Sequence, residues 1–161
     1  MNWNTLIATN NSTTTPLIRL MVGAVFLAEG IQKFIYPAAR GVGRFEGMGF
    51  PAPEFFGPMV GGFEIVAGLL ILAGLTTRLG ALITFCIMTV AIVVTKIPIL
   101  FGESFGPFVV RELSSYGFWP MAHEMRTDFA MFLGSLFLMI EGGGRWSVDR
   151  QLHSKNETQQ Q

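Results

Sequence analysis

The sequence has few charged residues, a single cysteine and only two histidines. Charged residues make up 14% of the chain, where a soluble domain usually carries about 25%, so much of it is expected to lie in lipid. Cys86 has no CxxC partner, which excludes an internal disulfide and excludes dithiol chemistry carried out by this chain alone. The formal net charge of zero offers nucleic acid no electrostatic attraction, and no nucleic-acid partner is expected.

Catalytic and metal-binding motifs are also scarce. His123 and His153 are expected at opposite ends of the last apolar segment, so they cannot ligate one metal or haem together, and no metal site is predicted. The sequence contains no phosphate-binding loop, dinucleotide fingerprint, serine nucleophile elbow or HExxH. The chain therefore has no self-sufficient catalytic motif.

Long apolar segments are abundant. Half of the residues are apolar and the mean hydropathy is +0.48. A bilayer core about 30 Å thick requires about 20 apolar residues in a helix. Four segments meet this requirement, at residues 17–36, 55–75, 79–100 and 123–140. Because backbone groups in lipid must be hydrogen-bonded within their own segment, the sequence predicts an all-α membrane protein, an antiparallel up-down bundle of four transmembrane helices.

The chain divides into one domain with two polar ends. Residues 17–150 are predicted to form the four-helix transmembrane domain, between disordered polar tails at residues 1–16 and 151–161. Pro16 suits the first turn of a helix, and three glycines at residues 142–144 end the last one. Gly57 and Gly61 form a GxxxG motif in the second span, which predicts close packing against another helix.

Positive charges are almost evenly divided between the two membrane faces. We call the face that carries both termini side A and the opposite face side B. Side A has five Lys and Arg residues and side B has six. Lys33 and Lys96 are expected within the membrane, and without them the count is five against four, which favours cytoplasmic termini.

Ionisable residues lie inside the predicted spans, where charge is costly. Six of them fall at the middle or in the side B half of the membrane, with three negative and three positive charges: Glu29, Lys33, Glu64, Lys96, Arg126 and Asp128. Glu29 and Lys33 are four residues apart and share a helix face. We expect one buried, mutually neutralising polar cluster that opens toward side B. Its candidate ligand-binding residues are Glu29, Lys33, Glu64, Lys96 and Asp128, with Arg126 and His123 as secondary candidates.

Two interpretations of this cluster stand side by side. In the first, the charges form structural ion pairs that fix helix register, and Lys33, Lys96 and Arg126 extend to the interface, which is favoured for Lys96 and Arg126. In the second, the cluster binds a small molecule or protons. Glu29 and Glu64 favour the second interpretation because a short carboxylate cannot reach the interface. For Asp128 both interpretations apply.

Six short pieces of the sequence match one family pattern: Arg19-Leu20, EGIQKF at 29–34, GFPAP at 49–53, Glu64 with Gly68, GLTTR at 74–78 and GRWSVDR at 144–150. In their order and spacing they resemble the DoxX family of small bacterial membrane proteins. The resemblance implies a four-helix protein of the bacterial inner membrane, and it places Asp128 at an acidic position of the fourth helix. Relatives include a subunit of a thiosulfate:quinone oxidoreductase and proteins of redox-stress complexes. One related branch does thiol chemistry through a CxxC that this chain lacks.

These observations give one leading hypothesis and two rivals. The leading hypothesis is an accessory subunit of a redox system in which the cluster binds a quinone head group. Glu29 and Glu64 would accept hydrogen bonds or protons, Lys33 and Lys96 would polarise ring oxygens, and a redox partner protein would supply electrons. The rivals are a small proton or solute transporter, which would require a homo-oligomer, and a structural membrane protein that binds a partner.

Overall fold

The computed structural model describes residues 7–159, with side chains through residue 154, and this part of the chain is helical. The helices described in full are α1 (Thr15–Ile35), α2 (Val42–Gly47), α3 (Pro53–Ala73), α4 (Thr77–Ala91), α5 (Ile97–Phe101), α6 (Phe118–Glu141) and α7 (Val148–Gln159). A π-helical turn, Ile92–Lys96, joins α4 to α5 in one continuous segment, Thr77–Phe101. Residues 7–159 contain no β-strand, which confirms the all-helical class.

The long helices begin earlier than the hydropathy pattern predicts. α1 and α3 each start two residues before the predicted span, because Pro16 and Pro53 suit a first turn, where a backbone N–H has no helical partner. α6 starts at Phe118, five residues early, directly after Gly117 with its φ of 120°. Asp128 therefore lies ten residues into α6 rather than five, which places it deeper in the bundle.

Glycines allow α1 and α3 to pack closely in antiparallel orientation. Gly23 faces Gly68 and Gly30 faces Gly61, and a Cβ at Gly68 would lie 2.9 Å from the Gly23 carbonyl oxygen. The glycines that contact α1 are thus seven residues apart, a spacing that brings them onto the same face after two turns. The GxxxG prediction identified Gly61 correctly, but its partner Gly57 packs against the start of α2 instead.

The second tightly packed pair is α4 and α6. Their buried hydroxyl groups, Thr84 and Ser135, form a hydrogen bond of 2.8 Å, and the rings of Phe85 and Phe132 lie 4.5 Å apart. A small apolar core connects this pair to α1 and α3. It consists of Val22, Phe26, Ile71, Ala81, Met131 and Leu138.

Two helical segments are apolar and long enough to cross a membrane by length and composition: α3 and Thr77–Phe101. Their outer faces expose large apolar side chains such as Leu69 and Val90, as expected where lipid is the solvent. α1 and α6, with 21 and 24 residues, have sufficient length but carry charged side chains. Crossing by all four helices stays a prediction.

Residues 7–14, directly before α1, are packed, which corrects the described part of the disordered tail predicted for residues 1–16. Ile7 is fully buried, the Asn10 N–H donates to the Glu141 carbonyl at 3.1 Å, and the Arg145 N–H donates to the Ser12 carbonyl at 2.9 Å. The end of α6 and the loop after it have backbone groups without helical partners, and this polar segment supplies those partners. Residues 1–6 lie outside the described part of the chain.

A final helix, α7, replaces most of the second tail, predicted at residues 151–161. It begins after Ser147, whose hydroxyl oxygen accepts a 3.2 Å hydrogen bond from the Arg150 N–H. A serine in this position is a preferred helix start because it satisfies a free backbone donor. Residues 160 and 161 lie outside the described part.

Candidate functional site

A cavity of about 460 Å³ lies between the α1–α3 pair and the α4–α6 pair. Most of its wall is apolar, with Phe26, Met59, Val60, Val94 and Met131 among the lining residues. We call it the inner cavity. Its size and apolar walls are those of a small-molecule site, in which a few polar groups set the orientation of the ligand.

The buried polar groups of the inner cavity are Lys33 and Glu64. The Lys33 Nζ lies 2.6 Å from a Glu64 carboxylate oxygen, and the two side chains are only 10% and 5% exposed. Lys33 therefore pairs across the helix interface rather than with Glu29 on its own helix. The reason is Gly61, because its missing side chain lets the stem of Lys33 pass directly over α3.

Glu29 lies in the wall of the inner cavity at a more open position. Its side chain is 38% exposed, and the nearest cation, Arg40, is 3.9 Å away, a long and weak ion pair. Arg40 follows the end of α1 on side B. Glu29 is thus a carboxylate at the mouth of the inner cavity.

Lys96 and Asp128 form the second partly buried ion pair, at 3.1 Å with exposures of 11% and 24%. The prediction that Lys96 extends to the interface is wrong for this residue. Pro98 cannot donate a backbone hydrogen bond, and the π-helical turn before it changes the direction of the Lys96 side chain. Lys96 consequently points into the protein, where it meets Asp128.

The expected single cluster is therefore divided into separate pairs. Asp128 lines the inner cavity together with Glu29, Lys33 and Glu64, whereas Lys96 lines the neighbouring cleft. The two secondary candidates are elsewhere. His123 and Arg126 are exposed, neither lines the inner cavity or the cleft, and the Arg126 guanidinium donates to the His123 carbonyl at 2.6 Å.

A second cavity, of about 490 Å³, adjoins the first on side B and is more polar. We call it the outer cleft. Its charged lining residues are Arg40, Arg44, Lys96, Arg111 and Glu124. It shares Arg40, Arg44, Met48 and Thr95 with the inner cavity, so these residues form the boundary between the two.

Aromatic side chains cover the inner cavity on side B. Phe50 lies at their centre, with ring distances of 5.0 Å to Phe45 and Phe108 and 6.1 Å to Phe56. Phe108 belongs to the loop between α5 and α6, and the Val109 N–H of that loop donates to the Met48 carbonyl at 3.1 Å. The two long side B loops are thereby joined over the site.

The side A end contains a polar arrangement that the sequence did not identify. Arg19, which the sequence offered only as part of a family resemblance, is buried and donates to four carbonyls. Those of Ile71 and Leu72 are at 2.8 and 2.6 Å, and those of Gly143 and Trp146 are at 3.1 and 2.6 Å. The last carbonyls of a helix have no partner within it, and an arginine offers five donors. Arg19 thus links the end of α3 to the loop after α6 through hydrogen bonds.

Asp149 completes this arrangement from α7. Its carboxylate accepts hydrogen bonds from the Thr76 and Thr77 N–H groups at 2.6 and 2.9 Å, where α4 begins. A carboxylate at a helix N-terminus is favoured by hydrogen bonding and by the helix dipole. Arg19, the segment 74–78 and the segment 144–150 are among the pieces that resemble a family, so that resemblance was the available signal.

Comparisons with known proteins identify the family of this chain. A profile of the DoxX family matches residues 15–97, from α1 through the π-helical turn, which is just over half of the chain. The chain belongs to the DoxX family. The matched region contains Glu29, Lys33, Glu64 and Lys96, whereas Asp128 lies beyond it. The resemblance predicted from short segments is therefore confirmed.

This DoxX-family protein is also similar to an uncharacterised membrane protein of Mycobacterium tuberculosis. The two are 46% identical over 154 residues, which cover 96% of this chain and 90% of the relative. No solved structure matches the sequence. The protein is thus a DoxX-domain membrane protein, and the relatives assign it no reaction.

Proposed function

We propose that this DoxX-family membrane protein is an accessory subunit of a quinone-linked redox system, and that its inner cavity binds the quinone head group. The observation that carries the proposal is the Lys33–Glu64 pair, at 2.6 Å and almost fully buried in a mostly apolar cavity of about 460 Å³. A mostly apolar site in which a donor and an acceptor are buried side by side suits a flat ring that carries two oxygens. Phe26 and Met59 would contact the ring faces.

The residues of the inner cavity match the proton chemistry of a quinone. The Lys33 ammonium can donate a hydrogen bond to a ring oxygen, and the Glu64 carboxylate can accept one from the reduced form. Glu29 and Asp128, in the same cavity, offer two further carboxylates on the path toward side B. Electrons would come from a redox partner protein, since the sequence has neither a CxxC nor a pair of histidines placed for one haem.

We extend the proposal to the membrane arrangement. α1 and α6 are taken to cross the bilayer beside α3 and Thr77–Phe101, which gives a multi-pass protein of the bacterial inner membrane. The charges of α1 and α6 support this arrangement because Lys33 and Asp128 face partners inside the bundle rather than lipid. Both termini are placed in the cytoplasm, following the small excess of positive charge on side A.

The test is mass spectrometry of small molecules that co-purify with the full-length protein in nanodiscs. Wild type is compared with Glu64→Gln, which keeps the side-chain volume and removes the charge. The matched control is Glu103→Gln, because Glu103 is an exposed carboxylate outside both cavities. We expect a stoichiometric quinone in wild type and in Glu103→Gln, and its loss in Glu64→Gln.

Two results would overturn the proposal. The first is the absence of quinone from wild-type protein even after quinone is added during reconstitution. The second is equal retention in wild type and in correctly folded Glu64→Gln. Solute flux through proteoliposomes that contain only this protein would instead support a transporter.

A further inference from the structure

The outer cleft carries a positive charge that the inner cavity does not. Four cationic side chains and one carboxylate line the outer cleft, which gives a formal excess of three positive charges. The inner cavity is lined by three cations, Lys33, Arg40 and Arg44, and by three carboxylates, Glu29, Glu64 and Asp128, so its formal charge is zero. Arg40 and Arg44 line both cavities, and the difference in charge arises because the three carboxylates of the inner cavity do not line the cleft.

Part of this charge is available to a ligand. Lys96 already forms an ion pair with Asp128, and one nitrogen of Arg111 forms an ion pair with Glu124 at 2.8 Å. Arg40 is only loosely held, because its carboxylate partner is 3.9 Å away. Arg44 makes no ion pair within 4 Å of any described side chain.

The geometry points to a phosphate-binding site: we propose that the outer cleft binds a phosphate-bearing head group through Arg40, Arg44 and Arg111. Guanidinium groups recognise phosphate through two parallel hydrogen bonds, and a concave wall concentrates their field. Basic pockets between membrane helices bind anionic lipid head groups by the same chemistry. The source of the phosphate is either an anionic phospholipid or free phosphate, and the two arms below distinguish these.

The position of the outer cleft fits this ligand chemistry. The cleft lies at the side B end of the helices, between the residues after α1 and the loop before α6, where lipid head groups are expected. Arg40 and Arg44 also form the boundary with the inner cavity, so a bound phosphate would lie beside the entrance to that cavity. The proposal stands independently of the quinone, because none of its three arginines belongs to the Lys33–Glu64 pair.

The experiment measures lipid binding to delipidated full-length protein by native mass spectrometry. The probes are phosphatidylglycerol, which is anionic, and phosphatidylcholine, which is zwitterionic. In a parallel arm, the thermal midpoint is measured in sodium phosphate and in sodium chloride at equal ionic strength. The test variant is a double variant that carries both Arg40→Gln and Arg44→Gln. The control is Arg126→Gln, because Arg126 is an exposed side B arginine that lines neither cavity.

We expect one phosphatidylglycerol to bind wild type and Arg126→Gln at least about tenfold more tightly than phosphatidylcholine, a preference that the double variant loses. Glu124→Gln, which frees Arg111, should strengthen binding, a gain that a misfolded protein could not give. A phosphate-specific midpoint shift without lipid preference, lost in the double variant, identifies free phosphate as the source. The proposal would be overturned if the double variant and Arg126→Gln behaved alike in both arms. Unchanged lipid affinity in Glu64→Gln would show that phosphate binding in the outer cleft does not depend on quinone binding.

Discussion

Lys33 and Glu64 are the residues on which the candidate site depends. A buried ion pair contributes little net stability, because the cost of removing both charges from water offsets their attraction. Removing one partner is expensive, since the other is then left buried and unpaired. Comparing the removal of one charge with the removal of both therefore distinguishes a structural role of the pair from a role in ligand binding.

We predict that Lys33→Met lowers the free energy of unfolding by about 3–5 kcal/mol, and that adding Glu64→Leu restores most of the loss. The double substitution removes both charges, so the stability returns while the polar groups that bind a ligand do not. Unfolding can be followed by tryptophan fluorescence in mixed micelles, with quinone content measured on the same samples.

The matched control is Arg111→Met, which breaks the exposed Arg111–Glu124 pair at 2.8 Å. Because solvent screens this pair, the loss should stay below about 1 kcal/mol. If the Lys33→Met/Glu64→Leu protein is stable and keeps its quinone, the pair serves only to hold helix register, and the binding role is wrong.

At the level of elements, helix contact is set by glycines on facing surfaces. Gly68 of α3 lies against the backbone of α1, and a Cβ there would be 2.7 Å from the Leu27 nitrogen. Gly62 of the same helix has nothing within 4 Å of the equivalent position. The two glycines are a matched pair for testing close approach, since both belong to one helix and differ in what they face.

Gly68→Ala is expected to lower the free energy of unfolding by about 1–3 kcal/mol, because backbone atoms cannot move aside as a flexible side chain would. Gly62→Ala should be neutral or slightly stabilising, by up to about 1 kcal/mol, through the better helix propensity of alanine. Both are measured by unfolding in mixed micelles. Equal effects of the two substitutions would contradict the packing argument.

At the level of the whole molecule, the number of membrane crossings decides where the termini and the loop before α6 lie. If α1, α3, Thr77–Phe101 and α6 all cross, residue 13 and residue 115 lie on opposite faces. If only α3 and Thr77–Phe101 cross, these residues lie on the same face. Thr13 and Ser115 are both exposed, so both positions can be labelled.

We predict opposite faces. In a Cys86→Ser background, Ser115→Cys should react with a membrane-impermeant maleimide in intact spheroplasts, and Thr13→Cys only after the membrane is opened. The cysteine-free protein is the control. Labelling of both positions from outside would reduce the number of crossings to two, and the reverse pattern would place the termini outside.

Much of the molecule was predictable from local pattern. Most ends of the four long helices were placed within two residues, because hydropathy and proline act within a segment of the chain. The larger error, at the start of α6, arose because Phe118, Trp119 and Met121 could have belonged to an interfacial loop as well as to a helix. Of the candidate residues, Glu29, Lys33, Glu64 and Asp128 line one cavity, while their depth in the membrane and their function stay predictions.

The sequence by itself determined the helical class, the family and the identity of the charged residues inside the bundle, since these depend on composition, spacing and short motifs. Only the tertiary structure decided which charges meet. Lys33 reaches Glu64 because Gly61 allows α1 and α3 to approach closely, and Lys96 reaches Asp128 because of a π-helical turn. The separation into a neutral inner cavity and a cationic outer cleft depends in the same way on contacts between residues distant in the chain, which no local pattern encodes.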